Sequence, residues 1–164
     1  MFHLIKTTST SKNDYYQILN RNKTPIKFFI NNTYSQFGQE ERFDIQIIKW
    51  ELDNNLTTLL SIRDFEDNLI THFKKTKNKT YEVYSKIIKN TGFSEMIETN
   101  IYKDSYDTIT HELGEVITFY DLKANVRCNV EIEVHNININ KSTNKLYYNL
   151  GINRIHIIEK INDK

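Results

Sequence analysis

The stretch NVRCNVEIEVHNININ, residues 125–140, alternates apolar and polar side chains and then changes phase. A regular strand with this pattern would expose part of its apolar side chains, because successive residues face opposite sides of a sheet. A β-bulge at His135–Asn136 would insert one residue, keep a single apolar face and bend the strand. The alternative is two strands joined by a tight His-Asn turn, although such turns usually have glycine after asparagine. The apolar positions are Val126, Cys128, Val130, Ile132 and Val134, followed by Ile137 and Ile139.

One segment has the period of a helix, and most of the others have the composition of strands. Apolar residues recur at steps of three and four from Ile62 to Phe73, and Ser61 with Asp64 has the form of a capping box, which predicts a helix over about 61–76. Short runs rich in β-branched and aromatic residues flank it, such as residues 26–30, 43–50 and 145–152. These elements predict an α+β fold, mainly β, with a strongly curved sheet or small barrel and one principal helix.

The 164 residues are enough for a single domain with its own core. The sequence shows no repeat, linker or composition change that would divide it. We therefore expect one domain over residues 1–164, with the core fold running from about 26 to 161. Residues 1–24 either add an edge strand or form a loose arm.

Charge and cysteine content set limits on the class of protein. The formal net charge is +1, so nucleic-acid binding would depend on local clustering of cations. Cys128 is the only cysteine, which excludes an intramolecular disulfide and is typical of a reducing compartment. The first residues lack the long apolar run of a signal peptide, and no run reaches the length of a membrane span. The expectation is a soluble intracellular protein without membrane contact.

The sequence contains no complete catalytic or metal-binding motif. HELGE, residues 111–115, begins like a zinc-protease helix, but Glu115 stands where the second histidine is required. Cys128 and His135 have no partner at metal-ligand spacing, and Cys128 falls on the apolar face of its strand, where a buried thiol is expected. We expect no enzymatic activity, no metal and no cofactor.

Aromatic and basic residues alternate on the strand faces that should be polar. Such a surface suits single-stranded nucleic acid, because cations follow the phosphates and flat rings stack on bases. On residues 43–50 the pattern places Phe43, Ile45 and Ile47 inward, which turns Trp50 outward. The lysine run at residues 74–79 either extends this track or is a solvated helix end. The predicted nucleic-acid-binding residues are Lys49, Trp50, Tyr120, Arg127, Lys145, Tyr147 and Arg154.

The order of these segments resembles the single-stranded-DNA-binding proteins of large DNA viruses and some phages, which are built on the OB-fold. TPIKFFINNTYSQFG (24–38) looks like the family's early strand leading to a glycine, and FEDNLI (65–70) like its helix motif. GFSEMIETN (92–100) resembles a compact turn, and residues 116–158 resemble the closing strands. Ile137 and Ile139 stand where the family often has an aromatic residue, which argues against stacking by this part of the strand.

The resemblance implies an OB-fold protein that coats single-stranded DNA in replication or recombination, without base specificity, catalysis or cofactor. Small OB-fold proteins of this kind often bind cooperatively or self-associate, which leaves a homo-oligomer open, and the expected location is the cytoplasm or nucleus of an infected host cell. RNA binding on a related barrel is a further possibility. The competing hypothesis is a non-enzymatic structural or interaction protein of a virus, such as a virion or assembly component, in which exposed aromatic residues form a protein interface.

Overall fold

The computed structural model describes residues 2–42, 45–89, 95–101, 109–111 and 125–159. Within these ranges eleven strands form one open, curved sheet and one helix covers its inner face, which confirms the mainly β, OB-like fold expected from the sequence. The sheet order is β1-β2-β10-β11-β8-β5-β4, with β3 beside β10, β6 and β9 beside β11, and β7 beside β8. The elements are β1 His3–Ser9, β2 Asn13–Leu19, β3 Lys27–Thr33, β4 Gln39–Arg42, β5 Ile45–Glu51, α1 Leu56–Lys77, β6 Glu82–Val83, β7 Ile87–Ile88, β8 Met96–Ile101, β9 Ile109–His111, β10 Arg127–Asn140 and β11 Lys145–Glu159.

The phase change at His135–Asn136 is a bulge within one continuous strand. Val134 lies opposite Leu150 and Ile137 opposite Tyr148, so two residues of β10 face a single residue of β11. Ile137 is 0% exposed and Ile139 is 4% exposed, so the extra residue returns both to the core. The predicted bulge is therefore confirmed, and the alternative of two strands joined by a turn is wrong.

The bulge also marks the place where β10 changes its neighbour. Residues 128–133 pair with β3, whereas residues 136–140 pair with β2. The change is possible because a bulge bends its strand and increases the local twist. It brings the β1–β2 hairpin to the edge of the sheet, with β2 paired to β10 and β1 paired to β2.

The helix α1 begins five residues before the predicted start at Ser61. The Ser61 hydroxyl does not cap a helix but donates to the Thr57 carbonyl, one turn earlier, at 2.8 Å. The first turn is stabilised by tertiary contacts: the Thr58 hydroxyl donates to the Phe29 carbonyl at 2.6 Å, and Leu59 is buried. These contacts outweigh the lower helix propensity of the two threonines.

The inner face of the sheet and α1 enclose one apolar core. The predicted helix face is confirmed, since Ile62, Phe65, Leu69 and Phe73 are all buried. Phe65 meets the ring of Tyr148 edge-on at a centroid distance of 5.4 Å. The other side of β10 and β11 is thereby left as the outer face of the sheet.

Candidate nucleic-acid interface

Three adjacent strands place two tyrosines and an asparagine in a line on the outer face. Tyr15 on β2 lies opposite Asn138 on β10, which lies opposite Tyr147 on β11. Each faces outward because its neighbour in the strand faces the core; Tyr16 is 7% exposed and Tyr148 is 1% exposed. At the usual spacing of strands, the backbones that carry Tyr15 and Tyr147 are about 10 Å apart.

A third ring extends this line beyond β11. Tyr84 follows β6, and its backbone N–H donates to the Leu146 carbonyl at 2.8 Å. Its ring is 59% exposed and stacks on Tyr147, with centroids 5.6 Å apart and planes inclined by 29°. We call Tyr15, Tyr147 and Tyr84 the tyrosine row. Tyr84 is exposed while Tyr147 and Tyr15 are half-buried, and a roughly parallel ring pair with one open face is a surface on which further flat groups can stack.

Cations collect at the end of the β10–β11 hairpin, next to the tyrosine row. Lys145 is on the same face as Tyr147, two residues and roughly 6.8 Å further along the strand. Lys141 and Lys12 occupy the two neighbouring turns, where the Lys141 N–H donates to the Lys12 carbonyl at 2.9 Å. We call Lys12, Lys141 and Lys145 the tip lysines. Lys12 and Lys141 are exposed and Lys145 is half-buried.

The carboxylates of Asp14 and Glu82 lie at this end of the molecule, and the exposed Glu82 on β6 is the strand partner of Lys145. Asp14 lies 3.5 Å from the Lys141 ammonium and 3.2 Å from that of Lys6, and it accepts a 2.6 Å hydrogen bond from the Ser9 hydroxyl. The Ser9 hydrogen bond, with the two lysines, lowers the pKa of Asp14 despite its burial. Lys141 is therefore partly neutralised.

The lysine run at 74–79 continues from the helix towards this region. Lys74, Lys75 and Lys77 lie in the last turn of α1, where cations interact favourably with the helix dipole. The chain then returns to the hairpin tip, where the Glu82 N–H donates to the Asn144 carbonyl at 3.3 Å. The structure is thus compatible with both interpretations of this lysine run. The helix end is solvated, and the chain that follows it reaches the tip of the β10–β11 hairpin.

Arg154 and Arg127 lie further along the hairpin and are separated from the tyrosine row by acidic residues. Arg154 is exposed, but its partner across β10 is Glu131, which lies 3.8 Å from the Lys27 ammonium. Glu133 comes next towards the tip and accepts a hydrogen bond from Asn153 at 3.2 Å. These two carboxylates interrupt the outer face between the arginines and the tip.

Arg127 is engaged within the protein. Its guanidinium lies over the Tyr34 ring at 4.5 Å and donates to the Asn32 carbonyl at 3.2 Å. Arg127 and Asn138 are also roughly 35 Å apart along the strand, less the effect of its bend. The structure therefore does not bring Arg127 together with Lys145 and Tyr147.

Lys49 lies apart from the tyrosine row and the tip lysines, because β8 separates its strand from β11. Lys49 lies on β5 opposite Glu98 of β8, and the Glu98 carboxylate is 3.4 Å from the Lys86 ammonium. Tyr120 and most of the HELGE segment fall outside the described residues.

The outward orientation predicted for Trp50 is wrong. Trp50 is 1% exposed, and its indole N–H donates to the Thr99 hydroxyl at 3.0 Å. Ile48 points inward with it, whereas Ile45 is 40% exposed. The prediction failed because β5 has apolar residues on both faces, so alternation does not identify the inner one. Trp50 is a core residue and cannot stack on a base in this structure.

Of the predicted residues, Lys145 and Tyr147 thus lie together, and they are joined by Tyr15, Tyr84, Lys12 and Lys141, which the sequence analysis missed. Two Tyr-Tyr doublets, at residues 15–16 and 147–148, were an available signal, since one ring of each must face outward in a strand. Ile137 and Ile139 do not stack, as expected, because both are buried. The rings at this end come from the neighbouring strands.

The described residues contain no group of three or more histidine, cysteine or acidic side chains arranged to hold a metal ion. In the same part of the chain, no helix has the length and apolar composition needed to cross a bilayer.

Comparison with known proteins finds similarity at the level of solved structures. No known protein-family model matches the sequence, and no curated protein matches it. The crystal structure of gp2.5, a single-stranded DNA-binding protein encoded by bacteriophage T7, is similar with a TM-score of 0.56 at 8% sequence identity. The similarity covers 86% of this chain and 90% of that chain. At this identity the likeness shows that the fold is shared.

Proposed function

We propose that this protein binds single-stranded DNA without base specificity and acts in DNA replication or recombination. The observation that carries the proposal is the tyrosine row, three outward rings beside the tip lysines. The fold it shares with a phage single-stranded DNA-binding protein supports the same function. Every base has a flat face, so stacking on tyrosine needs no particular sequence.

The chemistry of the surface matches the two parts of a nucleotide. Tyr84 and Tyr147 offer ring faces to the bases, and Lys12 and Lys145 offer ammonium groups to the phosphates. A stacked base contributes about 1–3 kcal/mol, so two or three rings would provide much of the affinity. The proposed activity is binding alone, with no reaction and no cofactor.

The proposal is tested by fluorescence anisotropy of a labelled oligo(dT) with wild-type protein, Tyr84→Ala and Tyr84→Phe. Loss of the ring should weaken binding about 5- to 150-fold, the equivalent of one stacked base. The phenylalanine variant keeps the ring and should bind within about threefold of wild type, since stacking does not use the hydroxyl. Phe37→Ala is a matched control, because Phe37 is 62% exposed but lies between β3 and β4, away from the row.

Two results would overturn the proposal. One is the absence of oligo(dT) binding at low salt; the other is binding that Tyr84→Ala and Tyr147→Ala leave unchanged. Sedimentation with and without oligonucleotide tests the competing structural role, for which self-association should be indifferent to DNA. A matched RNA oligomer in competition determines whether the preferred partner is DNA or RNA.

A further inference from the structure

The segment that carries Tyr84 is held from the core side by a buried carboxylate on the helix. The Ser85 hydroxyl donates to Glu66 Oε1 at 3.0 Å, and the Tyr148 hydroxyl donates to Glu66 Oε2 at 2.6 Å. The Tyr148 oxygen in turn accepts the backbone N–H of Lys86 at 3.3 Å. Two residues that follow Tyr84 directly are thus connected to Glu66.

Glu66 is a buried carboxylate, and its hydrogen bonds with Ser85 and Tyr148 both lead to the segment that follows Tyr84. The residue is 9% exposed and lies on the core-facing side of α1. A carboxylate in such a place loses hydration, and replacing buried ionic groups by apolar ones is often neutral or stabilising. Burial and the neighbouring Glu66 charge raise the pKa of Tyr148, so its hydroxyl stays protonated and remains a donor.

Adjacent tyrosines on β11 contact the same segment from opposite sides of the sheet. Tyr148 points inward to Glu66 and the Lys86 N–H, while Tyr147 points outward and stacks on Tyr84. The ring of Tyr84 is therefore placed by two contacts: its own N–H to Leu146, and the Glu66 network behind the next two residues.

We propose that Glu66 is a positioning residue for nucleic-acid binding, which fixes Ser85 and Lys86 and thereby holds the Tyr84 ring parallel to Tyr147. The inference rests on the proposed function, because it assigns Glu66 a part in the same surface. Glu66 touches no ligand and acts through Tyr84. Its loss should leave the ring present but no longer held in the stacking orientation.

The direction in which Glu66→Gln changes the affinity for oligo(dT) distinguishes a positioning role from an electrostatic one. Glu66→Gln removes a negative charge, which through the field alone would strengthen binding to a polyanion. Positioning predicts the reverse, at least threefold weaker binding to oligo(dT). Asp67→Asn is the matched control, since Asp67 is the exposed neighbour on the same helix, and its change should leave affinity equal or slightly higher.

A double-mutant cycle with Tyr84 separates positioning from a general structural role. If Glu66 acts through Tyr84, adding Glu66→Gln to Tyr84→Ala should change the affinity by less than 1.5-fold. Ser85→Ala leaves the core intact and should weaken oligo(dT) binding as Glu66→Gln does. In the Tyr84→Ala background, Ser85→Ala should cause no further weakening. Thermal unfolding establishes that each variant is folded at the assay temperature.

The outcomes distinguish this inference from the function on which it rests. If Glu66→Gln weakens binding equally with and without the Tyr84 ring, the positioning role is overturned. The proposal that the protein binds DNA is then unaffected. Unchanged or tighter binding by Glu66→Gln would do the same. Wild-type protein that binds no oligonucleotide would overturn both proposals.

Discussion

Replacing Trp50 by phenylalanine should lower the stability of the protein and leave its affinity for DNA unchanged. The indole is 1% exposed and donates to Thr99, which itself donates to the Ile48 carbonyl at 2.9 Å. The smaller ring removes two buried carbons, about 1.6 kcal/mol at the usual value per methylene. The lost hydrogen bond adds about 1 kcal/mol. The expected decrease in the free energy of unfolding is therefore about 2–3 kcal/mol.

Urea denaturation followed by far-ultraviolet circular dichroism measures this loss without needing the tryptophan. With a slope of about 1–3 kcal/mol/M, the midpoint should fall by roughly 0.7–3 M while the slope stays the same. Oligo(dT) anisotropy on the folded variant should match wild type, and the fluorescence of Trp50 in the wild type should not respond to the oligonucleotide. A variant of normal stability that binds several-fold more weakly would refute the assignment of Trp50 to the core.

Three further predictions concern a thiol, a carboxylate and a lysine. Burial raises the pKa of the Cys128 thiol to about 12, so a thiol reagent at pH 8 should modify it only as the protein unfolds. Asp14→Asn should be less stable than wild type at pH 7. Because folding lowers the pKa of Asp14, this difference in stability is present above pH 3.8 and should disappear as the pH falls through the pKa of the folded protein. Urea midpoints measured against pH would show the change. Lys145→Ala should weaken binding to all oligonucleotides alike. It should also reduce the slope of log affinity against log salt by about 0.7, the value for one single-strand phosphate contact. An unchanged slope would exclude Lys145 from the interface.

The parts of the fold that could be predicted from sequence depend on local alternation. In β10 every second residue before His135 is apolar, so the change of phase predicted either a bulge or a turn there. The burial of Cys128 followed from the same pattern. The exchange of β3 for β2 could not be predicted, because it depends on which distant strand fits the bent segment. The start of α1 was missed since it depends on contacts with β3.

The candidate site was harder to predict because its members come from four separate segments. Tyr147 and Lys145 were found, as both lie on one strand with a clear inner face. Tyr15 and Tyr84 were missed because only the pairing of β2 and β6 with the hairpin brings them to the same line. Trp50 was misplaced for the opposite reason: its strand is apolar on both sides, and tertiary packing alone decides which side is covered.

The bulge that determines the fold also assembles the candidate site. Up to Glu133, β10 lies beside β3, and the outer face there contains the carboxylates of Glu131 and Glu133. Beyond the bulge it lies beside β2, which contributes Tyr15 at Asn138 and brings Lys12 next to Lys141. An unbent strand would have continued beside β3, and Tyr15 would have had no place in line with Tyr147. The inserted residue thus moves β10 from the strand beside Glu131 and Glu133 to the strand that carries Tyr15. We therefore expect the DNA to contact the outer face on the tip side of His135 and to leave the rest of the hairpin free.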